Sequence, residues 1–412
     1  MNATQIKNIA AYVAVSDSAL PAIEAVATLK GGAKASVLCC PAFASAPYDC
    51  GNLYDKDGIW GSFDPSNAVK AINEIIAPQL VGLDASNQAA CDAVLMQFDK
   101  AQVGKNATAA VSMAILKAAA EALEIGLYKH LGGQRAFTLP LPSHLSQSGS
   151  TRYGGPYSAG YHPEYSFIAY DFATFEEASY GLWEATSTME LKLKGARSLG
   201  VIDSDQAIWD LMTECIFSSG NEGKVGIMAD LSAHSFYDAE TGLYKGLFDK
   251  QDKTRDELMQ LIIKLVSDYP FVSIEDPLMA DDFDGFAYLT QNTDIQIVGD
   301  ALFACDKDRF IKGIQLGAAN AISISVAQAG TVSEAAEIAQ LAYENNYGMI
   351  ASRDRGERLD QCDIAVGLNM SCAKDAGMLY TGNRLRTIED EIGSRARFFG
   401  SRGLRGKRFQ LR

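Results

Sequence analysis

Residues 271–283 read FVSIEDPLMADDF, and residues 295–303 read IQIVGDALF. Each opens as a short apolar, β-branched run and reaches an acid, Glu275 in the first and Asp300 in the second. Such runs, closed by turn residues, are the pattern of strands buried on both faces. Working outward, FIAYDF (167–172), VGIMADL (225–231), NAISISV (320–326), YGMIAS (347–352) and CDIAVGL (362–368) repeat it. Between them lie helical stretches such as RDELMQLIIKLVSDY, DRFIKGIQLGA and TVSEAAEIAQLAYENNY. Strand–helix alternation of this kind predicts a parallel sheet covered by helices, and its length favours a closed β/α barrel over an open sheet.

Upstream the texture differs. Residues 1 to about 65 carry short apolar runs (AAYVAV, AIEAVATL, ASVLCC) that predict a small antiparallel sheet. From Pro65 the spacing of Val69, Ile72 and Ile76 is helical, and TAAVSMAILKAAAEALEIGLYKHL predicts a buried Ala-rich helix ended by Gly132-Gly133. The expected organisation is an α+β domain over 1–135, a linker with loops over 136–165, a barrel over 166–400 and a basic tail over 401–412.

The chain has 412 residues, 48% hydrophobic and 21% charged, with a net charge of −15. That composition fits a globular protein of two domains and excludes wholesale disorder. The acidic balance disfavours nucleic acid as a partner, because phosphate binding needs clustered cations. No apolar stretch reaches about 18 residues, so no membrane span is expected. The N-terminus carries no evident signal peptide, and the scattered cysteines suit a reducing, cytoplasmic setting.

In a β/α barrel the functional groups sit at the C-terminal ends of the strands. Asp230, Glu275 and Asp300 close three consecutive strands there. Parallel neighbours are about 4.8 Å apart, so the three carboxylates can converge, and their repulsion calls for a hard divalent cation, most simply Mg²⁺. Of the histidines, His130, His144, His162 and His234 are too dispersed for a zinc site. His234, beside Asp230, is the one expected near the metal, in a structural role or supporting the ligands from behind.

The runs VSIEDPLMADDF and IQIVGDALF, with the ending LNMSCAKDAGMLYTGNRLRTIEDEIGSRARFFG, resemble the enolase barrel. AVKAINEIIAPQLVGLD and NATAAVSMAILKAAAEALEIGLYKHLGG are similar to the same family's N-terminal domain, so the resemblance covers nearly the whole chain. It implies an α/β fold: an enolase-type, TIM-like β/α barrel with a smaller N-terminal α+β domain. The reaction it implies is Mg²⁺-dependent loss of water from 2-phosphoglycerate. By resemblance Asp230, Glu275 and Asp300 are metal ligands, Glu164 (in HPEYSFIAYDF) an acid-site glutamate, and Lys374 (in SCAKDAG) a substrate-carboxylate lysine. Ser45, in PAFASAPY, stands near the place of a mobile-loop serine that serves a second metal, in a loop unlike the family's.

Other positions depart from the family. Its general base is a lysine in a Lys-Val-x-Gln context on the sixth barrel strand; here ISVAQAG puts Ser325 there. A hydroxyl cannot deprotonate carbon without a partner to activate it. The Gly-Asp-Glu-Gly-Gly loop has no counterpart between LKGARSLGVID and DQAIWDLM. The phosphate segment His-Arg-Ser-Gly-Glu reads Arg353-Asp354-Arg355-Gly356-Glu357, leaving Arg353 and Arg355 as weak substrate ligands. Tyr157 replaces the histidine of the Gly-Gly-Ser-His loop. Losses of base, acid loop and phosphate ligand together predict an inactive or strongly impaired enzyme. The expectation is a pseudoenzyme working as a binding component of a protein assembly, with a homodimer as a further possibility. Enolase-like paralogues in cytoskeletal or ciliary structures suggest such a setting by analogy. The alternative is an active phosphopyruvate hydratase, or an altered Mg²⁺-dependent lyase using Lys374 as base.

Overall fold

The computed structural model describes residues 2–16, 19–41, 47–48, 51–153, 162–194, 201–352 and 360–410. The chain forms two compact units, Met1–Ala136 with Ile324–Leu341 and Ala351–Asn369, and Phe137–Ser323 with Ala342–Ile350 and Met370–Arg412. The first unit thus draws in two segments that lie within the linear span expected for the barrel.

In the first unit, strands Ile6–Val15, Pro21–Leu29 and Lys34–Cys39 form the expected antiparallel meander. Its inner face packs on helix Lys105–Ala122, which is buried nearly all round and so can be small and apolar on every side. The Ala-rich stretch does not run through as one helix. It breaks after Ala122, where Glu124 takes a left-handed φ of 53°, and resumes at Leu127–Gly132. Buried Asp92 joins this unit's parts: it accepts from Ser112 Oγ at 2.6 Å and from Ser333 N and Oγ at 2.9 and 2.7 Å. Placed at the start of helix Val332–Glu344, the carboxylate satisfies otherwise orphaned donors.

Eight strands close the barrel: Leu141–Ser148, Glu164–Ala169, Val225–Asp230, Phe271–Glu275, Gln296–Gly299, Ala321–Ile324, Gly348–Ala351 and Cys372–Ala373. Two expectations fail here. Residues 136–165 are not a linker, because they contain the whole first barrel strand and the start of the second. A Pro- and Ser-rich composition hid a strand whose side chains are mostly buried. CDIAVGL is not a strand but most of helix Asp360–Gly367, whose side chains are almost all buried. A short run that is buried on all sides has no periodicity to tell helix from strand.

Nor is the barrel uniformly parallel. The second strand pairs antiparallel with both the first and the third. Among the described residues between the first two strands there is one 3-10 turn, Thr151–Tyr153, and no longer helix of the kind a parallel crossover uses. Two helices, Phe175–Lys192 and Asp205–Ser218, then lead to the third strand. The reversal matters for function, since it puts the first residue of the second strand, Glu164, at the rim where the other strands end. The helices start where short polar residues predict. Thr174, Ser204, Thr254, Asp282 and Asp306 each accept from a first-turn backbone N–H.

The basic tail folds back onto the second unit. Arg408 forms a two-pronged pair with Asp294, Nε at 3.0 Å and an amino nitrogen at 2.7 Å, and also donates to Phe271 O. Leu404 and Phe409 are buried, and Phe409 meets Tyr170 edge to face at 5.6 Å. Gly406 is required where it stands: its φ is 113°, and a Cβ would come within 2.4 Å of Asp294 O.

Candidate functional site

The site is assembled from the rim of the second unit. Val225–Asp230 and Phe271–Glu275 run parallel with Asp230 opposite Glu275. Glu164 faces Asp230 across the antiparallel pair and Ser148 across the other. Lys374 follows directly on the eighth strand, Cys372–Ala373.

Glu275 is fully buried. Its Oε1 accepts from Lys374 Nζ at 2.8 Å, while Oε2 is buried with no hydrogen-bond partner. The same ammonium donates to Asp230 Oδ2 at 3.1 Å, and Asp230 Oδ1 accepts from Ser232 N and Oγ at 3.1 Å. Asp276, with a left-handed φ of 43°, turns its carboxylate toward the fifth strand's end. There Oδ1 accepts from Asp300 N at 3.1 Å and Oδ2 from Ala301 N at 2.8 Å. Oxygens of Asp230, Glu275 and Asp276 gather within 4.8 Å of one another.

Burial pushes the Glu275 carboxyl well above the usual range; Lys374 opposes this, and the charges of Asp230, Asp300 and Asp276 add to it. Asp276 is pushed up by burial, then by Asp300 and Asp230. Two histidines are held toward the neutral form. Burial lowers His162, whose Nδ1 lies 3.3 Å from Pro163 O, and burial lowers His234 against the pull of Asp230 and Asp300. Both ring nitrogens of His234 are buried without a hydrogen-bond partner. It makes no hydrogen bond to Asp230 or Asp300, although the charges of both act on the ring.

Family models match both parts of the chain: "Enolase, N-terminal domain" over residues 6–131 and "Enolase, C-terminal TIM barrel domain" over residues 197–406. The enolase of Methanocaldococcus jannaschii is 32% identical, with 94% of this chain and 96% of that protein aligned. The enolase of Methanopyrus kandleri is 33% identical over 92% and 94%, and that of Bifidobacterium animalis subsp. lactis 34% over 85% and 84%. The chain belongs to the enolase family.

Enolases normally bind Mg²⁺, and the donors here fit a hard divalent cation. Carboxylate oxygens converge, and Glu275 Oε2 is buried with nothing else to accept from. When bound, the ion would supply charge stabilisation for an anionic ligand. The close cluster joins Asp276 to Asp230 and Glu275. Asp300 is tied to it through its own backbone N–H and influences the cluster by its charge. The signal for Asp276 was present as the second acid of SIEDP, but strand alternation would turn its side chain away from the site. Its left-handed backbone undoes that alternation.

Ser325, expected on the sixth barrel strand, is instead the first residue after it, and its Oγ is buried with no hydrogen-bond partner among the described residues. Ser45, Arg353, Arg355, Asp354 and Tyr157 lie outside the described residues. Among the described residues, no helix is long and apolar enough to cross a membrane.

Proposed function

We propose that this enolase-family chain has kept a divalent-cation site and given up the dehydration of 2-phosphoglycerate. It serves instead as a non-catalytic, protein-binding component of an assembly in the cytoplasm. One observation carries the reading. The position that the resemblance assigns to the family's general base holds Ser325, whose buried hydroxyl has no hydrogen-bond partner among the described residues. Removing a proton from carbon beside a carboxylate needs a base of matched pKa, and an unassisted hydroxyl is weaker by many orders of magnitude. The acidic loop missing from the sequence and Asp354 in the phosphate segment support the same reading.

A second reading is favoured by Lys374, whose amine lies among the carboxylates and could act as base in an altered lyase reaction. A coupled assay with 2-phosphoglycerate and Mg²⁺ tests the first. Turnover is expected at least ~10²-fold below the ~10 s⁻¹ of a typical enzyme. A rate within about tenfold of that value would reinstate ordinary enolase activity. Deuterium exchange at the substrate's α-carbon, abolished by Lys374→Gln, would instead select the second reading. Native purification bears on the assembly: recovery only as a free protein would count against it.

A further inference from the structure

The carboxylate cluster carries a counter-ion from its own chain. Lys374 Nζ bonds Glu275 at 2.8 Å and Asp230 at 3.1 Å, with 11% of the lysine side chain exposed and none of the glutamate. Among the described residues, this ammonium is set against three carboxylates within 4.8 Å of each other. It engages only one oxygen of Glu275 and leaves the buried Oε2 unsatisfied. The cluster therefore has a partial neutralisation built in and a remaining demand for positive charge.

We propose that Lys374 is a resident cation that competes with a divalent ion for Asp230 and Glu275. The inference rests on the retained cation site in the reading above, not on loss of activity. The competition follows from space and charge. A hard ion would sit about 2.0–2.6 Å from the oxygens the ammonium now occupies, and two cations sharing those oxygens repel. Loading the ion moves Nζ off the carboxylates and frees the amine; removing it lets the amine return. The ion-free protein stays folded because the lysine replaces part of the missing charge. Its affinity for the ion is correspondingly reduced.

The test is calorimetric titration of EDTA-stripped, full-length protein with MgCl₂, wild type against Lys374→Gln. The variant is expected to bind Mg²⁺ about tenfold tighter or more, and its melting temperature to rise more steeply with Mg²⁺. Binding by the variant alone would support competition in its strongest form. Equal or weaker affinity in the variant, or binding by neither protein, overturns it. Should the variant fail to fold, crystals of the wild type grown with and without Mg²⁺ decide. Nζ beyond hydrogen-bond reach of Glu275 when the ion is bound is expected, and Nζ still on both carboxylates beside the ion refutes the proposal. Turnover of 2-phosphoglycerate by the wild type would remove the non-catalytic reading and leave these outcomes unaffected, so the two fail separately.

Discussion

The fourth and sixth barrel strands end alike in depth and unlike in equipment. After Phe271–Glu275 a fully buried carboxylate is tied to Lys374; after Ala321–Ile324 stands Ser325, 2% exposed, with an idle hydroxyl. The difference separates groups the fold needs from groups only chemistry needs. Glu275, Asp230 and Lys374 hold each other's charge in a low-dielectric rim, so losing one strands the rest. A base at the sixth strand has no such dependants. A lysine there would cost desolvation, whereas an unpaired buried hydroxyl costs only about 1–3 kcal/mol. On the proposed non-catalytic reading, the electrostatic half of the site would outlast a loss of activity, and the proton-transfer half would not.

The sharpest way to break this contrast is to restore what the sixth strand lacks. Ser325→Lys is expected to raise α-proton exchange of 2-phosphoglycerate in D₂O by about 10²-fold or more. An unchanged rate would show that the missing base is not the controlling defect. The converse experiment attacks the fourth strand. Glu275→Ala should cost about 3–5 kcal/mol by urea denaturation in EDTA, because it leaves Lys374 facing fewer counter-charges in a buried place. A loss below about 1 kcal/mol would mean that the cluster is not structural, and the contrast between the strand ends would dissolve.

Much of this was legible in the chain. Strand ends at Asp230 and Glu275, and one just before Asp300, followed from buried-strand runs meeting acids, and helix starts from Thr254 and Asp306. What escaped depended on direction and handedness, which composition does not carry. The first strand was hidden in PSHLSQS, and its antiparallel neighbour is what brings Glu164 to the rim. Asp276 joins the cluster only through a left-handed residue. Lys374 was legible as a site residue, yet its pairing with Glu275 and Asp230 spans 99 and 144 positions of sequence, which no local pattern reports.

The tail sharpens the comparison by supplying a basic segment held mainly by packing. A charged terminus is ordinarily mobile. Instead Phe409 is buried against Tyr170, and Arg408 pairs with Asp294. Phe409→Ala should cost about 3 kcal/mol, at the low end for buried aromatic truncation because the segment is terminal. Arg408→Ala should cost less, since its pair with Asp294 is partly exposed and largely screened. Equal melting of Phe409→Ala and wild type would return the tail to the solvent.

The smallest expected effect tests whether burial alone, without a charge partner, governs a titrating group. His130, on helix Leu127–Gly132 of the first unit, is lowered by burial as its only resolved cause. Above about pH 6.5 the ring is neutral in both folded and unfolded chains and contributes no pH dependence. As the pH falls below that value the unfolded chain takes up the proton first, so stability is lost through the window down to the folded pKa. Glu275 acts in the opposite sense, since a carboxyl held above its usual range favours the folded state as the solution becomes acidic. The measurable quantity is therefore a difference: wild type minus His130→Gln, melted between about pH 7.5 and 5.5. Glu275 is present in both proteins and cancels. The wild type should lose ground to the variant as the pH drops, and a flat or inverted difference would show that the ring meets compensation from a charge in the fold.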